Sequence, residues 1–175
     1  VNAVKIRNKT YFSAFLKDIT TQKMAQIEQE TTTSRITTLI QNLHAGILVE
    51  NESRKIVLVN NQFCQLFNIP GYPESLIGKD CAELEVQSRH YLADPDAFGV
   101  GISRILFNQV PVLDEQIELA DGRVFERDYL PIYTREKFMG NLWRYSDITP
   151  RKLAEADLKK AREEAISASI AKSQF

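Results

Sequence analysis

The stretch from Gly140 to Lys152, GNLWRYSDITPRK, decides the fold because it predicts a strand that continues directly into a helix. Its central part, Leu142 to Ile148, is rich in the aromatic and β-branched residues that favour strands. Thr149 and Pro150 then predict the start of a helix. Thr can cap free backbone N–H groups, and Pro at the first helical position loses no hydrogen bond. We therefore expect movement of the strand to be transmitted to the helix.

A similar segment occurs near the N-terminus, where Leu16 to Ala25 aligns with Tyr145 to Ala154, and both contain Asp-Ile-Thr. The two copies are separated by about one domain length, which favours tandem modules over a short repeat. This spacing predicts four parts: the closing strands of a preceding module at residues 1–20, a linker helix at 21–43, a complete domain at 44–149, and an exit helix at 150–175 that leads towards a further domain.

Composition places the chain among ordinary globular proteins. Of its 175 residues, 43% are hydrophobic and 26% are charged, which suits one core with helical extensions. The net charge of −1 and the scattered basic residues argue against nucleic-acid binding. No apolar run approaches the roughly 20 residues that span a bilayer, so we expect no membrane segment in this chain and a cytoplasmic location.

The two cysteines, Cys64 and Cys81, are too few for a disulfide framework or a zinc site, and we expect no metal site. The chain also contains no phosphate-binding loop and no nucleophile elbow. It is therefore not expected to be an enzyme.

The first 43 residues predict a hairpin followed by a helix. Val4 to Arg7 and Thr10 to Leu16 have strand character around a turn at Asn8-Lys9, but they lack a core of their own. They must lean on this module's sheet or on a second chain. The helix from Thr21 to Leu43 is interrupted at residues 31–33, where three threonines predict a kink and a cap for a second helix.

The remaining chain predicts two strands, several short helices and a three-strand meander. The strands are expected at residues 46–50, 55–60, 112–119, 123–132 and 138–148, with an Asp121-Gly122 hairpin turn in the meander. Helices are expected at 61–67, near 73–77 and from Asp94-Pro95 to about Val110. This order predicts an α+β domain in which a five-stranded antiparallel sheet carries the short helices over one face.

With that order, residues 34–151 resemble a PAS sensor domain. The motifs that carry the resemblance are Val57 to Phe63, Tyr72 to Lys79, Ala120 to Arg127 and Asp147 to Thr149, in the family's order and spacing. The resemblance implies the PAS fold, flanking signalling helices and a relay role for Asp147, Ile148 and Thr149. It also implies that the residues before Thr21 close a preceding PAS-like module.

A second resemblance concerns the C-terminal part. The segments Ala161 to Ala165 and Ala171 to Phe175 are similar to the helix that leads into the phosphoacceptor box of sensor histidine kinases. Neither His44 nor His90 stands in such a box. The resemblance implies a sensory module of a two-component histidine kinase, with a downstream kinase domain as partner and no kinase activity in this chain.

No cofactor can be named from the sequence, and two that PAS domains carry are disfavoured. In the flavin-binding LOV group, the motif around the reactive cysteine has an arginine where this chain has Ala82 and an amide where it has Asp80. The last strand of that group carries a further amide where this chain has Tyr145. Haem-binding members use a histidine on the long helix, whereas His90 precedes the helix start at Asp94-Pro95.

The resemblance also indicates a ligand pocket between the sheet and the insertion helices. Alternation along the strand from Val124 places Phe125, Arg127 and Tyr129 on one face. Alignment with the family turns that face inward, together with Trp143 and Tyr145. From the helices, Phe63 and Ile102 complete the candidate pocket.

A buried arginine requires a partner, so Arg127 must meet an internal carboxylate, such as Asp80 or Glu115, or an anionic ligand. Bidentate recognition by Arg127, with Tyr129 and Trp143 excluding water, makes a small organic anion the candidate ligand.

The exit helix carries a heptad seam, which consists of Ala154, Leu158, Ala161, Ala165 and Ala168. This seam predicts a parallel homodimer held by the flanking helices. The alternative is an amphipathic helix that lies on its own domain. The sequence thus supports a sensor that binds a small molecule or a partner and relays its state through paired helices. The alternative is a ligand-free dimerisation and spacer module, and a chromophore-carrying sensor is a third class.

Overall fold

The structure is a computed structural model. It describes residues 2–6, 9–13 and 17–173, and the side chains of residues 17–170. The chain forms two compact units, Val1–Leu39 and Ile40–Phe175.

The first unit begins with the hairpin that the sequence predicts. Strands β1 (Asn2–Ile6) and β2 (Lys9–Ser13) pair antiparallel, with Val4 opposite Tyr11. The hairpin is therefore confirmed. Of the predicted turn at Asn8-Lys9, Lys9 lies in β2, whereas Asn8 lies outside the described residues. Arg7 and the predicted strand end at 14–16, with Phe15 and Leu16, also lie outside them.

Helix α1 (Thr20–Gln41) follows, and it continues without interruption through residues 31–33. The predicted interruption and second helix start at the three threonines are therefore wrong, while a bend of the helix there stays a prediction. β-Branched residues lower helix propensity by only some tenths of a kcal/mol each, and a helix of six turns tolerates three of them. The first turn is capped by Asp18, whose Oδ1 accepts a hydrogen bond from the Thr20 N–H at 2.9 Å.

The second unit contains the five-stranded antiparallel sheet that the sequence predicts, in the order β4-β3-β7-β6-β5. The meander of β5, β6 and β7 pairs through consecutive neighbours, and β3 inserts beside β7, so that the first and last strands of the domain meet at the centre. The strands are β3 (Gly46–Asn51), β4 (Ile56–Val59), β5 (Val112–Glu118), β6 (Val124–Thr134) and β7 (Lys137–Asp147).

The insertion between β4 and β5 holds the short helices, which confirms the α+β class. All three helices predicted for the insertion are present, and residues 81–91, for which no element is predicted above, form a further helix and a 3-10 turn. The elements are α2 (Asn61–Leu66), a 3-10 turn (Pro73–Leu76), α3 (Cys81–Ser88), a second 3-10 turn (Arg89–Tyr91) and α4 (Pro95–Asn108).

The buried side-chain amide of Asn60 connects several backbone segments at the beginning of this domain. Asn60 is fully buried, and its Oδ1 accepts hydrogen bonds from the backbone N–H groups of Ile47 and Phe63 at 2.8 and 3.0 Å. Its Nδ2 donates to the carbonyl oxygens of Ile40 and Ala45 at 3.0 and 2.8 Å. Asn60 therefore caps α2 and binds the backbone of Ile40, Ala45 and Ile47 within the second unit with its full hydrogen-bonding capacity.

Helix α5 (Thr149–Ser173) leaves the sheet directly after β7, as the sequence predicts, but its first turn is capped differently. The Thr149 N–H donates to Oδ1 of Asp147 at 2.9 Å. The Thr149 hydroxyl instead accepts from the Val124 N–H at 2.9 Å, and the Ile148 N–H donates to the Val124 carbonyl at 2.9 Å. The expectation that Thr149 caps the helix is therefore corrected: Asp147 is the cap, and Thr149 fastens the helix start to β6. Among the described residues, no helix is long and apolar enough to cross a membrane.

Candidate ligand-binding site

The seven predicted pocket residues lie together on the inner face of the sheet and on the helices that cover it. Every one is less than 9% exposed to solvent, and ring contacts join the two layers. The Phe63 and Tyr145 rings lie 5.7 Å apart, and the Tyr129 and Trp143 rings lie 4.7 Å apart. The seven residues are Phe63, Ile102, Phe125, Arg127, Tyr129, Trp143 and Tyr145.

A cavity of about 530 Å³ lies between the inner face of β3 and β7 and the helices of the insertion. Four of the seven predicted residues line it: Phe63, Ile102, Trp143 and Tyr145. The other three, on strand β6, pack beside it and are absent from the described lining. The volume falls in the range of clefts that hold small molecules.

Arg127 has the internal carboxylate partner that its burial requires. It is 2% exposed, and Glu115 on β5 accepts from its Nε at 2.9 Å and from its Nη2 at 2.5 Å. The sequence analysis named Asp80 and Glu115 as possible partners of Arg127, and Glu115 is the one that pairs with it. Asp80 pairs instead with Lys55 at 3.1 Å.

Aromatic rings enclose the rest of the Arg127 guanidinium. Its Cζ lies 4.9 Å from the centre of the Phe98 ring and 5.5 Å from that of Trp143, and both rings line the cavity. Nη1 is buried and makes no hydrogen bond to any residue that the structure describes. The charge of the Arg127 guanidinium is therefore neutralised by Glu115, and aromatic rings cover the guanidinium. Its Nη1 group has no acceptor among the described residues.

A second buried charge, Glu50 on β3, was missed by the sequence analysis. It is 0% exposed, and its Oε1 accepts from Nδ2 of Asn141 at 2.7 Å and from Nε1 of Trp143 at 3.3 Å. Its Oε2 accepts from Nε of Arg54 at 3.3 Å. The Tyr129 hydroxyl extends this network by donating to Oδ1 of Asn141 at 2.7 Å.

The strand pattern did contain a signal for Glu50. Alternation along β3 puts it on the same face as Leu48, and Leu48 is an inward residue. A carboxylate at an inward position demands a partner, and the register pairs Glu50 with Asn141 across the β3–β7 ladder. That pairing joins residues far apart in the chain, so it could not be read from one segment.

Burial sets the protonation of the groups around this network. Burial raises the pKa of the Cys81 thiol strongly, and the neighbouring Glu50 carboxylate raises it further, so the thiol stays protonated. Burial likewise raises the pKa of Tyr129 to about 12. For Tyr145, burial raises the pKa, whereas the positive charge of Arg127 acts in the opposite direction.

The mouth of the cavity is polar. Arg54 reaches Glu85 on α3 with 3.7 Å between its Nη1 and Oε2 of Glu85. His90 lies on the 3-10 turn that precedes α4, is exposed, and stacks on Tyr91 with 3.8 Å between ring centres. Across the described residues, no group of three or more His, Cys, Asp and Glu side chains could hold a metal ion.

The outer face of the sheet carries an ion network that reaches the exit helix. Arg144 on β7 pairs with Asp128 and, at 3.3 Å, with Glu126, both on β6. Arg151, in the first turn of α5, pairs with Glu126 at 2.9 Å. Along the chain, the predicted relay residues Asp147, Ile148 and Thr149 lie between Tyr145, which lines the cavity, and Arg151 of this network.

The five residues of the predicted dimer seam on α5 are all exposed in the single chain. They are Ala154, Leu158, Ala161, Ala165 and Ala168.

The comparisons with known proteins agree with this geometry. Residues 34–101 match a family model described as a PAS domain. Among solved structures, the PAS domain of Bordetella pertussis BvgS is similar with a TM-score of 0.52 and 18% identity, over 77% of this chain and 98% of that one.

Two larger structures contain a similar domain. The E. coli DhaR(N)-DhaL complex matches with a TM-score of 0.53 and 10% identity, over 71% of this chain and 38% of that one. An RNA-binding Light-Oxygen-Voltage receptor matches with a TM-score of 0.51 and 17% identity, over 78% of this chain and 38% of that one. At these identities the likenesses show the fold alone.

No curated protein sequence matches the chain. The five-stranded antiparallel sheet, the helical insertion over its inner face and the match of residues 34–101 together show that this chain contains a domain of the PAS family.

Proposed function

We propose that this PAS domain is a sensory module that binds a small molecule in the cavity between its sheet and helices and relays the bound state to α5. The observation that carries the proposal is the cavity itself, about 530 Å³ in volume and walled by aromatic side chains with a few polar groups. Such a composition is typical of small-molecule sites, in which apolar surface supplies affinity and sparse polar groups supply specificity.

The route from the cavity to α5 is short. Trp143 and Tyr145 line the cavity from β7, and Asp147 caps α5 only two residues after Tyr145. A ligand that shifts either ring acts on the strand that ends at this cap. The hydrogen bonds of Ile148 and Thr149 to Val124 couple the same junction to β6.

The wider context is a further part of the proposal. The likeness of residues 161–165 and 171–175 to the helix before a phosphoacceptor box supports a two-component sensor histidine kinase with a downstream kinase domain. The β1–β2 hairpin supports a preceding PAS-like module that closes within residues 1–20. The relay would then pass through helices on both sides of the domain.

Pairing of the exit helices would complete the relay. Leu158 is 73% exposed, and the small seam residues around it suit close packing of two parallel helices. Replacing Leu158 with Asp and Ala161 with Lys is expected to yield monomers in light scattering. A variant as dimeric as the parent would remove the seam from the interface.

A ligand-free spacer is the second candidate function. The full burial of Phe125 and Tyr129 favours it, because a core already filled by its own side chains leaves the inner face of β6 with no surface for a ligand.

Native mass spectrometry of the purified chain separates the two functions. A sensor is expected to retain a bound small molecule, and the variant Leu84→Trp, which fills the cavity, should lose it. Leu113→Trp, on an exposed part of β5 away from the cavity, is the matched control. Absence of any bound molecule, before and after incubation with a metabolite mixture, would favour the spacer.

A further inference from the structure

The wall of the cavity carries more negative than positive charge. Among the described residues that line it, four are carboxylates and two are permanent cations. Lys55, which lies outside the lining, pairs with Asp80 at 3.1 Å. With Lys55 counted, the charges of Arg54, Lys79, Glu50, Asp80, Glu83 and Glu85 still sum to −1 before any ligand is present. A cleft with one sign of charge and low-dielectric walls concentrates ligands of the opposite sign.

Part of the excess negative charge is gathered around Arg54. Arg54 is shared by two carboxylates, with its Nε 3.3 Å from Glu50 and its Nη1 3.7 Å from Glu85. Among the residues that the structure describes, Arg54 is the ion-pair partner of both carboxylates, so this three-residue cluster has a net charge of −1.

The two carboxylates of the cluster differ in what they can offer a ligand. Glu50 is fully buried, and both of its oxygens already accept hydrogen bonds from Arg54, Asn141 and Trp143. Glu85 is 23% exposed at its side chain, and the Arg54 nitrogen lies too far away for a hydrogen bond. Within the described part of the chain, no group donates a hydrogen bond to the Glu85 side chain, so its oxygens can accept one from a ligand at the cavity wall.

The apolar part of the lining also favours a cation. It contains six aromatic rings whose faces carry negative partial charge, and such faces attract ammonium groups most strongly when water is excluded. The rings are those of Phe63, Phe67, Tyr91, Phe98, Trp143 and Tyr145.

We infer that the ligand of this cavity is an organic cation, a primary amine with an apolar body, whose ammonium group donates to Glu85 in the field of Glu50. This inference rests on the proposed sensory function. Arg127 does not oppose it, because Glu115 neutralises that guanidinium and the Phe98 and Trp143 rings lie beside it. The small organic anion that the sequence favoured becomes the competing outcome.

Three probes that share one skeleton separate these outcomes: 3-phenylpropylamine, 3-phenylpropan-1-ol and 3-phenylpropanoate. At pH 7 they are cationic, neutral and anionic. Calorimetric titration of the whole chain should show the amine binding at least about tenfold more tightly than the alcohol, the gain expected for one hydrogen bond to a charged group. The acid should bind more weakly than the alcohol.

Variants of the cluster give effects of opposite sign. Glu85→Gln brings the cluster to neutrality and should weaken amine binding about tenfold, with little change for the alcohol. Arg54→Gln makes the cluster more negative and should strengthen amine binding. Glu118→Gln is the matched control, because Glu118 is exposed on β5 and lies away from the cavity. Circular dichroism checks that each variant is folded, and Glu85→Gln keeps the test decisive if Arg54→Gln unfolds.

The failure of this inference is distinguishable from failure of the proposed function. Equal or tighter binding of the alcohol or the acid would overturn the amine assignment and leave a small-molecule sensor. Acid binding that Arg127→Ala abolishes would assign the site to an anion. No binding by any of the three probes would also overturn the amine assignment, and native mass spectrometry then decides separately whether the chain is a sensor or a spacer.

Discussion

Both faces of strand β6 carry ion pairs between arginine and carboxylate side chains, but the two sets of ion pairs differ in their exposure to solvent. On the inner face, Arg127 pairs with Glu115 and is 2% exposed. On the outer face, Glu126 and Asp128 pair with Arg144, whose side chain is 33% exposed. Neighbouring residues of one strand thus take part in an ion pair whose arginine is buried, although its partner Glu115 is 26% exposed, and in an ion network whose arginine is partly solvated.

This difference separates two roles of charge in the domain. A buried pair contributes little net stability compared with apolar residues of the same volume, but loss of one partner leaves an uncompensated charge. A partly exposed network costs less to change, because water replaces a lost partner. The inner pair therefore fixes the wall beside the cavity, whereas the outer network, which reaches α5 through Arg151, tolerates the loss of a partner at lower cost.

The largest effect is expected from Glu115→Gln, which leaves Arg127 buried without a counter-charge. The free energy of unfolding should fall by about 3 kcal/mol, as for other broken buried pairs. Urea denaturation measures the change. The double variant Glu115→Leu with Arg127→Met should recover most of the loss, and a double variant less stable than Glu115→Gln would contradict the distinction between the two faces.

A smaller effect is expected from Tyr129→Phe, which leaves Oδ1 of Asn141 without its donor on the inner face. The loss at pH 7 should be about 1 to 2 kcal/mol. Because burial raises the pKa of Tyr129 from about 10 to about 12 in the folded state, its stabilisation is complete below about pH 10 and is lost as the pH rises towards 12.

Urea midpoints measured between pH 8 and pH 11 test this sign. The parent should lose stability above pH 10 more steeply than the Phe variant. Parallel curves for the two proteins would show that the Tyr129 hydroxyl ionises as easily in the folded state as in the unfolded one.

On the outer face, Asp128→Asn should cost about 1 kcal/mol at pH 7, as for a partly exposed ion pair. Burial alone would raise the pKa of Asp128, but the hydrogen bonds from Arg144 and the Asp114 N–H, with the charge of Arg144, lower it. The stabilisation is therefore complete above the ordinary carboxyl pKa, near 4, and is lost as the pH falls below it. Thermal unfolding at pH 7 and pH 3 should show the difference shrinking in acid, and a difference that persists at pH 3 would exclude the charge as its cause.

The smallest effect on stability is expected from Arg151→Ala. Arg151 is 54% exposed at its side chain, so the change should stay within about 0.5 kcal/mol. The variant should nonetheless increase amide hydrogen exchange in the first turns of α5, because the link to Glu126 is lost. Arg162→Ala, further along the same helix, is the matched control and should leave that exchange unchanged.

The strands and their order along the chain could be predicted from the sequence, because alternation and turn residues are patterns of a few neighbouring residues. The Asp121-Gly122 turn is an example, since Gly122 adopts a φ of +87° that glycine reaches without strain. Helix α3 was missed because Cys81 is its only buried residue, so its sequence shows no regular apolar stripe.

The candidate site could be predicted only where one strand defines it. The inward set on β6 follows from alternation, and the need for a carboxylate near Arg127 follows from burial. The cavity and the Glu50 network depend instead on how β3, β7 and the helices pack. Those contacts join residues as distant as Glu50 and Trp143, so no local pattern contains them. Thr149 shows the same limit, because its hydroxyl binds a neighbouring strand and not its own helix.

The chain contains one tryptophan, and it is Trp143. Its indole N–H donates to Glu50, its ring faces Arg127, and it lines the cavity. Its fluorescence therefore comes from a single site that contacts both buried charges and any molecule in the cavity. An occupied cavity should change the emission maximum and the quenching by small solutes, so the protein carries its own optical probe and requires no label.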